Sequence, residues 1–85
     1  MSMHTKDLFY ASLICPITRM PLKLMSQDQV QAINDKINHR AIVTLQKQTV
    51  TEIFTNGLTT EDGRYFYRID DDIPILLPDE AMMES

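Results

Sequence analysis

Polar and apolar positions follow two different periods along this chain. In its middle third, apolar residues recur at helical spacing: Val30, Ile33 and Ile37. The positions between them are polar, which is typical of a helix with one buried face. Ser26 and Gln29 form a capping-box pattern, in which each side chain can bond the backbone N–H of the other residue. These patterns predict a helix over residues 27–38.

Short strands are predicted on either side of this helix. Leu22 and Leu24 flank Lys23, and this alternation is typical of a half-buried strand. Residues 42–45 are rich in β-branched side chains and predict another strand. The rest of residues 41–57 stays open, because its apolar residues fit either a strand or one helical turn. Asn56 and Gly57 are a turn signal.

A hairpin is predicted over residues 58–69. Asp62 and Gly63 lie between two β-prone arms, as a type I′ turn requires. In the second arm, Tyr65 and Tyr67 alternate with Phe66, so we expect the two tyrosines to face the core.

The most apolar stretch follows this hairpin and lies between two acidic clusters. We call it the apolar strip: Ile73, Pro74, Ile75, Leu76 and Leu77. Because both alternating faces are apolar, the strip predicts one strand that is covered on both sides. Pro74 lacks an N–H donor, so the strand should lie at a sheet edge. Such an edge is either covered by the rest of the chain or offered to a partner.

The two ends are expected to differ in structure. Residues 7–14 predict a short leading helix, which Pro16 ends. Residues 81–85 are expected to fray.

Composition narrows the function classes. The 85 residues make one domain, and the net charge of −4 with a pI near 4.9 argues against direct binding to nucleic acid. A single cysteine excludes an internal disulfide. No apolar run is long enough to cross a membrane and no signal peptide opens the chain, so we expect a cytoplasmic protein without membrane contact.

No catalytic constellation is legible, so we do not expect an enzyme. Cys15 has no base paired with it and is interpreted as a small buried hydrophobe. The acidic run before Ile73 is interpreted as a solvated charged turn, because consecutive carboxylates converge poorly on a cation. Tyr65 and Phe66 with Arg64 and Arg68 resemble a base-stacking platform, but a core position explains the aromatic residues equally well.

Three sequence elements together resemble a known family. They are Cys-Pro at 15–16, Pro-Leu-Lys-Leu at 21–24 and Ile-Pro-x-Leu-Leu-Pro at 73–78. This pattern resembles the zinc-ribbon-like activator subunits of tRNA- and ribosome-modifying methyltransferases and their short bacterial relatives. The resemblance covers residues 8–24 and 58–81, and the predicted helix lies in an insert at about residues 26–40.

The resemblance also places the family's zinc ligands on this chain. The four positions hold Cys15, Thr18, Thr60 and Gly63, of which only the cysteine can bind zinc. We therefore expect no metal and no cofactor, and expect hydrogen bonds and packing to hold these segments instead. Asp71-Asp72 replaces the family's Asp-Gly before Ile-Pro, and Asp tolerates the positive φ that this turn needs.

The predicted fold is α+β: a small antiparallel sheet of three to four strands with a leading and an inserted helix, zinc-ribbon-like without zinc. The resemblance implies a non-catalytic adaptor that lends its apolar strip to a methyltransferase acting on tRNA, rRNA or translation factors, by strand addition and burial of apolar surface. Two alternatives stay open. One is an RNA- or ribosome-associated binding protein that uses Arg64, Tyr65, Phe66 and Arg68, and the other is a homodimer formed by edge strands.

Overall fold

One α-helix and a six-stranded antiparallel sheet form residues 13–85, which the computed structural model describes. The strands are β1 (Leu22–Leu24), β2 (Ile42–Thr44), β3 (Asn56–Thr60), β4 (Phe66–Asp70), β5 (Ile73–Pro74) and β6 (Met82–Glu84), the helix is α1 (Gln27–Asn38), and a 3₁₀-helix spans Pro78–Glu80. The strand order is β1-β3-β4-β6-β2, and β5 also pairs with β4. The α+β class is confirmed, but the sheet has more than the three or four strands predicted.

Helix α1 has the predicted boundaries. The Gln29 N–H donates to Ser26 Oγ over 3.2 Å, and the Ser26 N–H donates to Gln29 Oε1 over 2.8 Å. Val30, Ile33 and Ile37 are buried. The capping box bonds backbone N–H groups at the start of the helix, and the buried apolar side chains attach the helix to the sheet.

Each face of the sheet carries its own core. The helix-side core contains Met25, Val30, Ile33, Ile37, Ile42, Phe54, Phe66 and Met82. The knuckle-side core is named for the knuckle, a tight turn of residues 15–20. It contains Cys15, Leu22, Leu58, Tyr67, Ile69 and Ala81. Consecutive strand residues point to opposite faces, so the neighbours Phe66 and Tyr67 belong to different cores. Tyr67 faces a core as expected, and Phe66 is buried as well because this sheet is covered on both faces.

The predicted hairpin is present, but its turn differs. Strands β3 and β4 pair with Leu58 opposite Tyr67, and five residues connect them. Gly63 has a positive φ of 71° and Asp62 does not, whereas a type I′ turn needs both. The Asp62 carboxylate accepts bonds from the Thr60 hydroxyl at 2.6 Å and from the Arg64 N–H at 3.1 Å. These bonds stabilise a longer loop instead.

Asn56 and Gly57 are not a turn, because both lie in β3. A Cβ on Gly57 would be 2.6 Å from Phe54 Cε2 and 2.9 Å from Met25 Sδ. Glycine is therefore needed at this position for close packing rather than for a turn.

The ambiguous middle segment is now defined. Strand β2 confirms the strand predicted near residues 42–45. Residues 46–55 contain no helix; Thr49 bridges Val43, and the Val50 N–H donates to the Ile42 carbonyl over 2.9 Å. This segment runs back along the outer edge of β2.

The expectation that residues 81–85 fray is wrong. Strand β6 lies between β4 and β2, Ala81 and Met82 are buried, and the Ser85 N–H donates to the Ala41 carbonyl over 2.9 Å. The two buried apolar side chains hold the segment in the sheet. The sequence did not predict this strand, because polar residues lie on both sides of the two side chains.

The predicted leading helix lies mostly outside the described residues. Its last two residues, Leu13 and Ile14, are described and are not helical. The Leu13 carbonyl accepts from the Leu22 N–H over 3.0 Å, and Ile14 forms a β-bridge with Pro21. This segment runs antiparallel to β1 and covers its outer edge.

Candidate docking surface

A tight turn brings the apolar strip back against β4. Asp71 and Asp72 have φ values of 49° and 65° and form the two-residue loop between the paired residues Asp70 and Ile73. Positive φ at both loop residues is the requirement of a type I′ turn. The prediction that aspartate takes a positive φ here is confirmed.

The apolar strip is only partly a strand. Strand β5 ends at Pro74, so the predicted five-residue strand is wrong in length. The Ile75 N–H still donates to the Arg68 carbonyl over 3.0 Å, and the 3₁₀-helix then starts at Pro78. Proline suits the first turn of a helix, where its missing N–H has no partner to lose. The strip therefore leaves the sheet after one ladder bond beyond β5.

The two ends of the strip are exposed to solvent. Ile73 is 63% exposed and Leu77 is 60% exposed, whereas Leu76 packs against the knuckle-side core. Pro74 and Ile75 are half-buried. The strip is thus attached to the sheet through its middle and presents large apolar side chains at both ends.

Pro74 also determines which backbone hydrogen-bond donors are present on the outer edge of β5. The Ile75 N–H points to β4, and in an antiparallel strand the backbone groups of adjacent residues point in opposite directions. The nitrogen of Pro74 therefore points away from the sheet, and it carries no hydrogen. The edge lacks a donor at the position where an added strand would need one.

Other segments cover the remaining sheet edges. Residues 13–15 run along β1, and residues 49–50 run along β2. Within residues 13–85, no strand pairs with the outer side of β5. The apolar strip therefore lies at the least protected edge of the sheet.

A cleft of about 470 Å³ is lined by Asp70 and Glu80, which flank the strip in the chain. Residues 50–53 form one wall, Arg68, Asp70 and Glu80 form the other, and Met82 contributes to the lining. Arg68 Nε lies 2.9 Å from Asp70 Oδ2, and Arg68 Nη2 lies 3.4 Å from Glu80 Oε1. Burial lowers the pKa of Arg68, but bonds to the two carboxylates outweigh it and raise this pKa above its ordinary value.

Ile53 projects from the first wall of this cleft. Asn34 of α1 bonds both backbone groups of Phe54: its Nδ2 donates to the Phe54 carbonyl over 2.8 Å, and its Oδ1 accepts from the Phe54 N–H over 3.1 Å. Phe54 is buried, and Ile53 is left 60% exposed. No sequence pattern predicts Ile53 as a surface residue, because residues 46–55 have no clear period. The polar neighbours Thr51 and Glu52 are the one signal of its exposure.

The four positions of the resembling family's zinc ligands form two local pairs. Cys15 and Thr18 lie in the knuckle (residues 15–20), where the Thr18 hydroxyl accepts from the Met20 N–H over 3.3 Å. Thr60 and Gly63 lie in the β3–β4 hairpin, where the Gly63 N–H donates to the Thr60 carbonyl over 3.0 Å. Among residues 13–85, no group of three His, Cys, Asp or Glu side chains could hold a metal ion.

Cys15 is fully buried and its sulfur lies 3.0 Å from the Tyr67 hydroxyl. Burial raises the pKa of Cys15, but hydrogen bonds, first from Thr18 and then from Tyr67, outweigh it and lower the pKa below the ordinary value. Burial, with the bond to Cys15, raises the pKa of Tyr67 well above its usual range. The pair therefore stabilises the knuckle-side core, and it has no access to solvent.

The predicted base-stacking platform is divided between the surface and the two cores. Phe66 and Tyr67 are buried, and Arg68 is bound by two carboxylates. Arg64 lies over the Tyr65 ring at 5.7 Å from its centroid and is exposed. Arg64 and Tyr65 are the two members of the platform left for a ligand to meet.

The described part of the chain has no helix of the length and apolarity that a bilayer span requires. No protein-family model and no curated protein matches the sequence. The fold and surface define a small α+β protein with an open antiparallel sheet and an exposed apolar edge.

One solved structure is similar to this chain in both sequence and fold. The chain is similar to XF2673 from Xylella fastidiosa, determined by solution NMR by the Northeast Structural Genomics Consortium, with 32% sequence identity and a TM-score of 0.73. The match covers 91% of this chain and 80% of XF2673. The chain therefore belongs to the same protein family as XF2673.

Proposed function

We propose that this protein is a non-catalytic, zinc-ribbon-like adaptor of the cytoplasm. It binds and stabilises or activates a methyltransferase that acts on tRNA, rRNA or translation factors. The identity of the partner follows from the resemblance in residues 8–24 and 58–81. That it binds a protein is supported by one observation, which is the exposure of Ile73 and Leu77 at the least protected edge of the sheet.

The exposed ends of the strip provide enough apolar surface to matter. Full burial of one such side chain contributes about 1.5–3 kcal/mol relative to exposure. Two of them, covered together by a partner, contribute on the order of a hundredfold or more in affinity. An enzyme with a matching apolar surface would become more soluble on binding, because both surfaces leave water.

Affinity purification from the native cell followed by mass spectrometry tests the proposal. We expect the unchanged protein to recover a methyltransferase and the Ile73→Ser/Leu77→Ser variant to lose it. Ile14→Ser/Leu24→Ser is the matched control, since it removes two exposed apolar side chains elsewhere on the sheet. Absence of an enzyme, or equal recovery by both variants, would contradict the proposal.

The two alternatives have separate tests. An RNA-associated function requires a salt-dependent shift of RNA by the purified protein, and Arg64→Ala with Tyr65→Ala should abolish it. A homodimer requires a sedimentation coefficient that increases with protein concentration.

A further inference from the structure

Carboxylates surround the apolar strip. Residues 69–80 include five acidic residues and no lysine, arginine or histidine. The cleft is lined by Glu52, Asp70 and Glu80 against one cation, Arg68. This face of the protein therefore attracts a positively charged segment and repels nucleic acid.

Exposed apolar side chains lie within this acidic frame. Ile53 projects from one wall of the cleft. Ile73 pairs with Asp70, and paired residues project from the same face of a sheet, so Ile73 lies beside the other wall. A segment that fits here needs apolar side chains as well as positive charge.

Pro74 argues against a strand as the occupant. Its nitrogen points outward without a hydrogen, and β5 is two residues long, so an added strand would gain few ladder bonds. A helix satisfies its own backbone and needs only side-chain contacts.

We propose that the cleft and the apolar strip together dock a basic amphipathic helix of the partner protein, through side chains and without strand addition. The proposal rests on the proposed adaptor function and specifies the chemistry of the partner segment. Apolar side chains of the helix cover Ile53 and Ile73. Its lysine or arginine side chains face Glu52, Asp70 and Glu80.

A designed peptide serves as the probe. It has about 18 residues, long enough to become helical when bound, with leucine on one face and lysine on the other. A companion peptide carries glutamate in place of every lysine. In an NMR titration of the full chain, we expect the lysine peptide to shift the amide signals of residues 50–53 and 68–77, with binding that weakens as salt is added. We expect the glutamate peptide to shift none of them.

Matched variants locate the contacts. Glu52→Lys should weaken peptide binding about fivefold, because it reverses a charge on the rim of the cleft. Glu61→Lys makes the same change in the β3–β4 loop, at the other end of the hairpin, and should leave binding unchanged. Ile53→Ala should weaken binding, whereas Leu24→Ala, which shortens an exposed apolar side chain on β1, should not.

Pro74→Val separates the two binding modes. Valine restores an outward N–H, so strand addition predicts tighter binding and side-chain docking predicts no change. Tighter binding of this variant, equal binding of the glutamate peptide, or shifts outside the stated residues would overturn the proposal. It would also be overturned if RNA shifted the amide signals of the same residues. Sedimentation that shows a homodimer, with the same amide signals shifting as the dimer forms, would overturn it too.

Failure here is distinct from failure of the adaptor proposal. If the purification recovers a methyltransferase but the lysine peptide does not bind, only the docking mode is wrong. If the peptide binds as stated and no methyltransferase is recovered, the docking mode stands and the partner is of another class.

Discussion

The two faces of the sheet are covered in different ways. The helix-side core is formed by apolar side chains of α1, the sheet and the segments beside them. The knuckle-side core also holds the Cys15–Tyr67 hydrogen bond, and an irregular chain covers it: the knuckle, Leu13 and Leu76. A helix can cover a sheet through periodicity alone, whereas an irregular segment needs specific polar contacts to hold its shape.

The backbone of the knuckle illustrates this need. The Cys15 N–H donates to the Met20 carbonyl over 2.8 Å, and the Arg19 N–H donates to the Cys15 carbonyl over 2.9 Å. Arg19 has a positive φ of 65°, which is unfavourable for a residue with a side chain. These bonds offset that strain and position Cys15 for its contact with Tyr67.

The largest effect is expected on the helix side. Ile37→Ala removes a fully buried side chain of α1 and should lower the free energy of unfolding by about 3 kcal/mol. Gln31→Ala, at an exposed position of the same helix, should change it by less than about 0.5 kcal/mol. Urea denaturation measures both values. Equal effects of the two variants would show that α1 does not rest on the sheet as described.

On the knuckle side, the corresponding test measures the contribution of the Cys15–Tyr67 bond to the free energy of unfolding. Tyr67→Phe keeps the ring and removes the hydroxyl, and should destabilise the protein by about 1–2 kcal/mol. A double-mutant cycle with Cys15→Ala isolates the bond, and we expect a coupling energy of about 1 kcal/mol. Additive effects would mean that the sulfur and the hydroxyl do not interact, and the contrast between the two faces would then weaken.

The helix start is expected to contribute less than either core. Ser26→Ala removes the side chain that accepts from the Gln29 N–H and should lower stability by about 1 kcal/mol. Ser26→Gly should have a smaller effect, because glycine is tolerated at this position. Thermal unfolding followed by circular dichroism measures both. If Ser26→Ala leaves stability unchanged, the hydrogen bond to Ser26 Oγ does not contribute to the helix start.

Alkaline pH should weaken the contribution of Tyr67 to the knuckle-side core. The pKa of Tyr67 is raised in the folded state, so its stabilising contribution is complete below about pH 10, where the unfolded tyrosine titrates, and is lost as pH rises above it. Since burial is the main cause, the test uses the Cys15→Ala background. Near pH 10.5, Cys15→Ala should lose up to about 1 kcal/mol more than Cys15→Ala/Tyr67→Phe, relative to pH 8. Equal losses would show that Tyr67 is not buried.

Sequence patterns predicted the elements whose signals are local. Helix α1 follows from a capping box and an apolar period, and β1 follows from apolar alternation. Strand β2 follows from its β-branched residues, and the β3–β4 hairpin follows from its β-prone arms. The positive φ of the Asp71-Asp72 turn was implied by the resemblance, together with the tolerance of aspartate for this conformation. In each case the residues that specify the structure are close together in the chain.

The remaining features depend on contacts between distant residues. Gly57 lies in a strand because Phe54 and Met25 pack where a side chain would be. Phe66 is buried because α1 covers a face that the hairpin alone would expose. The cleft needs Arg68, Asp70 and Glu80 to meet residues 50–53, and nothing in the sequence of that segment indicates the meeting. Of the candidate surface, the apolar strip could be predicted from the sequence, whereas the cleft wall formed by residues 50–53 could not.

Strand β6 has a consequence for the order of assembly. It separates β2 from β4, so β2 cannot join the rest of the sheet until residues 82–84 are available. When only the first seventy residues have left the ribosome, β1, β3 and β4 can therefore pair, but β2 cannot yet join them. Formation of the last strand closes the structure, and until then the nascent chain is a substrate for chaperones and proteases.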